Sequence, residues 1–243
     1  MTDWLVAPVV SPETQAAVRT AYGLLLFCTL VSIAPHARRY FRSERWGGYA
    51  ESSASVDAIQ NPWVGTLILV VWFAAAAALV ANRYVLAAAA FNVGVSYYFF
   101  IRMRWRSILR GMGAPGFIST WLGLAVLLLE VTSRHMPAAR DSVVLMLQVD
   151  FGGIMLSAGL YKLFAGYRHQ LGMELGMVNP EWGYWMQFWR RWPPTHPLFR
   201  FLDEMAWLTE VVCGVMMLIP ATRVLGGVGM LLSFVFIATQ IRL

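Results

Sequence analysis

The sequence predicts an all-α fold: a polytopic transmembrane helical bundle of about seven spans, with an aromatic-rich interfacial loop between spans five and six. Residues 1–243 are read as a single transmembrane domain. Three observations carry this. The chain is 58% hydrophobic and only 13% charged, with a mean hydropathy of +0.58, where soluble domains run at about 45–50% apolar and about 25% charged. Apolar segments near the roughly 20 residues needed to cross hydrocarbon recur along its length. The basic residues, eighteen arginines and one lysine, mostly flank those segments, as anchors of membrane loops do.

The first span is expected from Gln15 to Ala34, closed by Pro35. The second runs from Pro62 to Val80 and the third from Tyr84 to Ile101, with only Ala81-Asn82-Arg83 between them, so the two form a tight antiparallel pair. The fourth runs from Pro115 to Thr132, the fifth from Ser142 to about Ala165, the sixth from Phe199 to Ile219 before Pro220, and the seventh from Val224 to Ile241. The alanine runs Ala74–Ala78 and Ala87–Ala90 mark close helix packing. Two loops are long. His36–Asn61 carries Arg38, Arg39, Arg42 and Arg45, then Trp46-Gly47-Gly48-Tyr49. Gly166–Leu198 is rich in Trp, Pro, Gly and Met, and an interfacial or re-entrant helix is expected around Trp182 to Trp192.

Thirteen arginines (38, 39, 42, 45, 102, 104, 106, 110, 168, 190, 191, 200 and 242) fall on one side of this layout and five (19, 83, 134, 140 and 223) on the other. The positive-inside rule then places the N-terminus outside, with the C-terminus and both long loops in the cytoplasm. The first crossing itself directs insertion, because no cleavable signal pattern opens the chain. The formal charge of +6 is accounted for by these anchors and does not indicate nucleic acid. The expected environment is the lipid bilayer, with other membrane subunits as possible partners. Cys28 and Cys213 lie in apolar segments and suggest packing, not a disulfide or metal motif. No metal site is expected: His169 and His196 flank the aromatic loop without ligand spacing. The sequence carries no GxSxG, HExxH, CxxC or P-loop pattern, which leaves hydrolase, zinc-protease, dithiol-redox and nucleotide readings without support.

Four ionisable groups within the spans are the candidates for chemistry: Glu130, Asp150, Lys162 and Glu210. Each costs about 2.5–3.5 kcal/mol at the bilayer centre on insertion scales, so each is expected to face the interior and pair. Lys162 is the only lysine. Lysine is the basic side chain that can lose its proton when desolvated, whereas arginine stays charged. Asp150 shares its span, but twelve residues is about 18 Å of rise and about 120° of rotation, which rules out a direct pair on a regular helix. Glu210, midway along the sixth span, is the best partner. Against this stands snorkelling, in which the lysine stem reaches outward from the helix end to the interface. Glu130 has Arg134 at one-turn spacing, which reads as a local helix pair. Gln148 and Asp150 can line a polar cavity or bond across helices.

At the fifth span, Ser157-Ala158-Gly159-Leu160-Tyr161-Lys162-Leu163 resembles the AG-x-x-K-L signature of the HTTM superfamily. That group includes the vitamin K-dependent gamma-carboxylases and the bacterial proteins that mature a sporulation-delaying toxin. Gly176 to Trp185, Trp207 to Glu210, Pro220 to Arg223 and Ser233 to Arg242 look similar to bacterial members, and the Trp-Gly-Gly-Tyr loop agrees. The resemblance covers most of the chain and is specific from Gly152 onward. It implies that Lys162 is a base acting on a quinone-like or lipid-like molecule, with a quinone or hydroquinone as the associated cofactor. Glu210 would be its partner, and Asp150, Gln148, Trp182, Trp185 and Trp207 would line a pocket between spans five and six beneath the aromatic loop. The chain lacks the large extramembrane domain of the carboxylases and spaces Lys162 farther from Trp182, so peptide carboxylation itself is not expected. Two alternatives stay open: a non-catalytic accessory subunit of a membrane complex, and a DoxX-like partner of a redox chain. A transporter is less favoured, since no broken-helix pairs recur in matching halves.

Overall fold

The structure is a computed structural model describing residues 7–36, 61–98, 114–170, 172–180 and 183–241. Among these the fold is helical, and seven helices of 12 residues or more dominate it: α1 Pro12–Ile33, α2 Pro62–Val80, α3 Val85–Ser96, α4 Ala114–His135, α5 Arg140–Phe164, α6 Pro197–Leu218 and α7 Arg223–Gln240. The first long loop, with its arginines and Trp-Gly-Gly-Tyr motif, lies outside the described residues, as do the end of the third expected span and Trp182.

The helix ends follow local chemistry. Ser11 caps α1, its hydroxyl accepting the Thr14 N–H at 3.2 Å, with Pro12 in the first turn. That cap starts the helix before the expected Gln15. Asn61 and Pro62 open α2 in the same way, the Asn61 side chain accepting the Trp63 N–H at 3.0 Å. His196 and Pro197 open α6, with Nδ1 accepting the Leu198 N–H at 3.2 Å. A side-chain acceptor followed by proline satisfies an otherwise orphaned donor and supplies a ready-made φ. The connection between α2 and α3 is tight enough to hold Asn82 and Tyr84 at positive φ, 55° and 47°.

The chain divides into two compact units, Val9–Val143 and, with Met1–Pro8, Val144–Leu243. In the first, α1 packs on α2 and α4, α2 on α3, and α3 on α4. Its core is built from Tyr22, Leu26 and Leu30 on α1, Trp72, Ala76 and Leu79 on α2, Val85, Ala88 and Ala89 on α3, and Val126 on α4. The spacings 22/26/30 and 72/76/79 each place one stripe inward. Ala75, Ala76, Ala88 and Ala89 are all buried, so the alanine runs act as packing surfaces that bring helices close. In the second unit α6 packs on α7, and the segment Gly166–His196 folds back on both.

Outward-facing residues such as Leu24, Leu67, Val70, Leu231, Leu232 and Val235 are exposed. This is a surface suited to lipid and not to water. Four stretches, Pro12–Ser32, Trp63–Val80, Pro137–Phe164 and Arg223–Gln240, are long and apolar enough to cross a membrane. α3 is short over its described length, and α4 and α6 carry more polar residues. Cys28 departs from its expected burial and faces outward on α1, while Cys213 is buried.

Candidate functional site

α5 and α6 meet along a seam of glycines. A Cβ on Gly159 would lie 2.8 Å from the Trp207 carbonyl oxygen and 2.9 Å from the Val211 nitrogen. One on Gly152 would lie 2.7 Å from the Leu218 side chain, and one on Gly214 would lie 2.9 Å from the Leu156 nitrogen. Only glycine lets two backbones approach this closely, and in lipid such close packing replaces the missing hydrophobic drive. The seam fixes an antiparallel register in which Gly159 stands opposite Trp207–Val211.

Lys162 follows three residues later, in the last turn of α5, where the helix dipole favours a cation. Its Nζ donates to Glu210 Oε1 at 2.7 Å. Glu210 precedes Val211, so it is level with Gly159, one turn inside Lys162. The lysine therefore points back toward the N-terminus of its own helix, the natural lean of helical side chains. The outward snorkelling geometry is not adopted. The Glu210 side chain is 9% exposed and that of Lys162 26%, and Glu210 Oε2 has no hydrogen-bond partner.

Gly166, at φ 73°, ends α5 and turns the chain, the left-handed stop that glycine favours. Tyr167 follows, its ring 5.7 Å from Lys162 Nζ, a cation–π distance. Its ring occupies the space that a side chain at position 172 would need. Burial raises the Tyr167 phenol to about 12, and the carboxylates of Asp203 and Glu210 push the same way.

Asp203 is wholly buried. It sits seven residues before Glu210 on the same face of α6. Its Oδ1 accepts the Met173 N–H at 2.7 Å, while Oδ2 has no partner. The short helix Gly172–Met177 is thereby tied to α6, and Met173 and Met177 pack with Phe199 and Ala206. On the other side, Tyr184 N–H donates to the Gln240 carbonyl at 3.0 Å, Trp185 Nε1 to the Thr239 carbonyl at 2.8 Å, and Trp189 Nε1 to Gln240 Oε1 at 3.2 Å. The first two bonds satisfy backbone carbonyls left free at the end of α7, and the third holds the Gln240 side chain. The expected helix from Trp182 to Trp192 is not formed over its described part: a single turn, Met186–Trp189, is helical. Gly183, held by pairing with Ile241, and Pro193-Pro194 bound the segment. His196 is committed to its cap, with its ring 4.1 Å edge-on from Trp192.

The expected site residues separate into distinct places. Lys162 and Glu210 are joined. Gln148 instead reaches across to α6, its Nε2 donating to the Met217 carbonyl at 2.5 Å. It lies fourteen residues from Lys162, about 21 Å along a regular helix. Asp150 is exposed on α5, about 18 Å from Lys162 along the axis. Both lie along α5 well away from the Lys162–Glu210 bond. Trp185 is committed to α7. Trp207 abuts Gly159 through its carbonyl and donates its indole N–H to Glu204 at 2.9 Å.

Three further residues matter here. Asp203 was detectable as the residue one heptad before Glu210. Arg19 was detectable as a charge inside the first span. Tyr167 had no such signal, because its position depends on the turn at Gly166. Glu130 does meet Arg134, at 3.3 Å, but its closer partner is the buried Arg19, at 2.5 Å. Among the described residues no group of three or more His, Cys, Asp or Glu side chains is placed to hold a metal.

The fold, its apolar outward surface and its four strongly apolar spans define a helical integral membrane protein. No protein-family model matches the chain, and comparison with curated proteins and with solved structures found no match.

Proposed function

We propose that this chain is an HTTM-type protein of a bacterial inner membrane that acts on a quinone-like or lipid-like hydroxyl compound, with Lys162 as base and Glu210 as its proton partner. The observation that carries this is the inward-turned Lys162–Glu210 pair, with a carboxylate oxygen left unbonded. The pair can exist as ammonium and carboxylate. By moving one proton along the 2.7 Å bond it becomes amine and carboxylic acid. In an apolar setting the neutral form avoids two desolvated charges. The amine can then take a proton from a hydroxyl placed beside it, leaving the ammonium balanced by the oxyanion of the compound while the carboxylic acid stays neutral. Tyr167, with its aromatic face toward Lys162, suits a ring-bearing compound. Such a compound would enter as substrate, and the hydroxyl it offers would be the proton donor.

The test is anaerobic absorbance of 1,4-naphthohydroquinone added to the purified protein. Wild type should give the absorption of the deprotonated hydroquinone near neutral pH. Lys162→Ala and Lys162→Arg should not, since arginine keeps its charge and cannot serve as a neutral base. Equal spectra from wild type and both variants would end the proposal.

One observation favours a non-catalytic accessory subunit as the second reading. The glycine seam seats the ion pair so closely that it can serve packing alone. A Lys162→Met/Glu210→Met double variant separates the two. A purely structural buried pair is often replaceable by apolar residues at little cost, whereas a catalytic pair is not.

A further inference from the structure

A second polar constellation lies within the unit Val9–Val143, built from α1, α4 and the first turn of α5. Arg19 NH1 donates to Glu130 Oε1 at 2.5 Å, and Arg134 NH2 reaches Glu130 Oε2 at 3.3 Å. Ser133 Oγ donates to Gln15 Oε1 at 2.9 Å. Arg140 NH2 donates to Gln15 Oε1 at 3.1 Å and to the Val10 carbonyl at 2.9 Å. Arg19, Glu130 and Gln15 are all buried.

The cluster is short of acceptors. Both Glu130 oxygens are engaged by guanidinium groups, and Gln15 Oε1 already accepts twice. Each arginine brings five N–H donors. Arg19 Nε and Arg140 Nε are buried with no hydrogen-bond partner, and half of the Arg134 side chain is exposed. Charge is unbalanced in the same sense, with three guanidinium groups around one carboxylate. The acids nearest in sequence, Glu13 and Asp141, do not correct this: both are exposed, and Glu13 is turned to Ser11. Buried cations in an apolar protein require a counter-charge. A group with several acceptor oxygens and a negative charge would supply both deficits at once, and arginine forks match phosphate oxygens.

We infer that Arg134 and Arg140, backed by the Arg19–Glu130 pair, form a binding site for a phosphate group at this end of the four-helix unit. The group would belong to an anionic phospholipid or to free phosphate. Placement at the ends of α4 and α5, beside the exposed Met136, suits a headgroup whose acyl chains run along the helices.

The test uses the whole purified chain in a neutral detergent, with native mass spectrometry and thermal unfolding. Phosphatidylglycerol, phosphatidylcholine and inorganic phosphate are added separately. Wild type should retain phosphatidylglycerol over phosphatidylcholine. Arg140→Gln and Arg134→Gln should each weaken that retention about tenfold, the scale of one lost charge-assisted hydrogen bond. Arg83→Gln, an exposed arginine outside the cluster, should leave it unchanged. Stabilisation by inorganic phosphate alone, lost in the same two variants, would support the site and assign it to free phosphate. Equal retention of the two lipids with no effect of phosphate would overturn the inference. So would phosphatidylglycerol retention that falls as much in Arg83→Gln as in the cluster variants. Unfolding midpoints in phosphatidylcholine report whether each variant is intact: a cluster variant that unfolds early there is replaced by Arg→Lys, which keeps the charge but loses the fork and should still weaken retention.

Discussion

Tyr167 is the residue that most directly reports the environment of the lysine site. Its phenol, raised to about 12 by burial and by the Asp203 and Glu210 carboxylates, keeps its proton in the folded chain where an unfolded chain would begin to lose it near 10. The sign follows from linkage: below pH 10 both states hold the proton and this group adds no pH dependence. Between pH 10 and about 12 the unfolded state binds fewer protons, so stability falls with rising pH. Titration by tyrosinate absorbance should show one fewer late-titrating tyrosine in Tyr167→Phe than in wild type. The alkaline decline in unfolding midpoint should be shallower in that variant. A Tyr167 that ionises with the exposed tyrosines would show that the turn at Gly166 does not seat it beside the carboxylates. This is also the scale at which the sequence was least legible. Lys162 and Glu210 stood out because charges within apolar runs are rare and must pair. Tyr167 is one aromatic among many in its loop, and nothing local distinguishes it before the chain turns.

The decisive feature among the elements is the α5–α6 seam. The start of α2 was legible at Asn61-Pro62, because capping is local chemistry, whereas the same pairing at Ser11-Pro12 and His196-Pro197 starts α1 and α6 before the expected Gln15 and Phe199. The aromatic segment was not legible. Its conformation is set by distant bonds, Asp203 to Met173 and α7 carbonyls to Tyr184 and Trp185, and not by any periodicity of its own. The distance of Gln148 and Asp150 from the lysine has a similar origin. Both share a helix with Lys162, but the partner helix meets that helix at several levels, and only the level near Gly159 belongs to the lysine. Gly159→Val should therefore act at a distance from chemistry. Its added carbons meet backbone atoms of Trp207 and Val211, which cannot rotate away, so the helices must part. A cost of roughly 1–3 kcal/mol is expected for such overpacking, read as a lower unfolding midpoint. Separation of Lys162 from Glu210 should follow, seen as loss of carbodiimide-induced cross-linking between the chain's one lysine and Glu210. Gly153→Val, where an added Cβ meets nothing within 4 Å, is the control. Equal behaviour of the two variants would show that the seam does not hold the pair.

For the whole molecule the open quantity is the number of crossings, and parity makes it measurable. If only the four strongly apolar stretches cross, the chain's two ends lie on the same side of the membrane. If α3, α4 and α6 cross as well, the ends lie on opposite sides. Mean hydropathy counts every charge in α4 and α6 at full cost. Yet Glu130 is held by Arg19 and Arg134, and Glu210 by Lys162, and charges paired inside a bundle are far cheaper to insert than isolated ones. The core also argues for equality among the first four helices, since α3 and α4 contribute Val85, Ala88, Ala89 and Val126 to the same cluster as α1 and α2. We therefore expect seven crossings, with the arginine-rich loops in the cytoplasm. Alkaline phosphatase fused after Asn82 or Pro137 should be active, and a fluorescent protein fused at Leu243 should fluoresce, because the first folds outside and the second inside. Phosphatase activity at Leu243 with an exterior N-terminus would reduce the count to an even number.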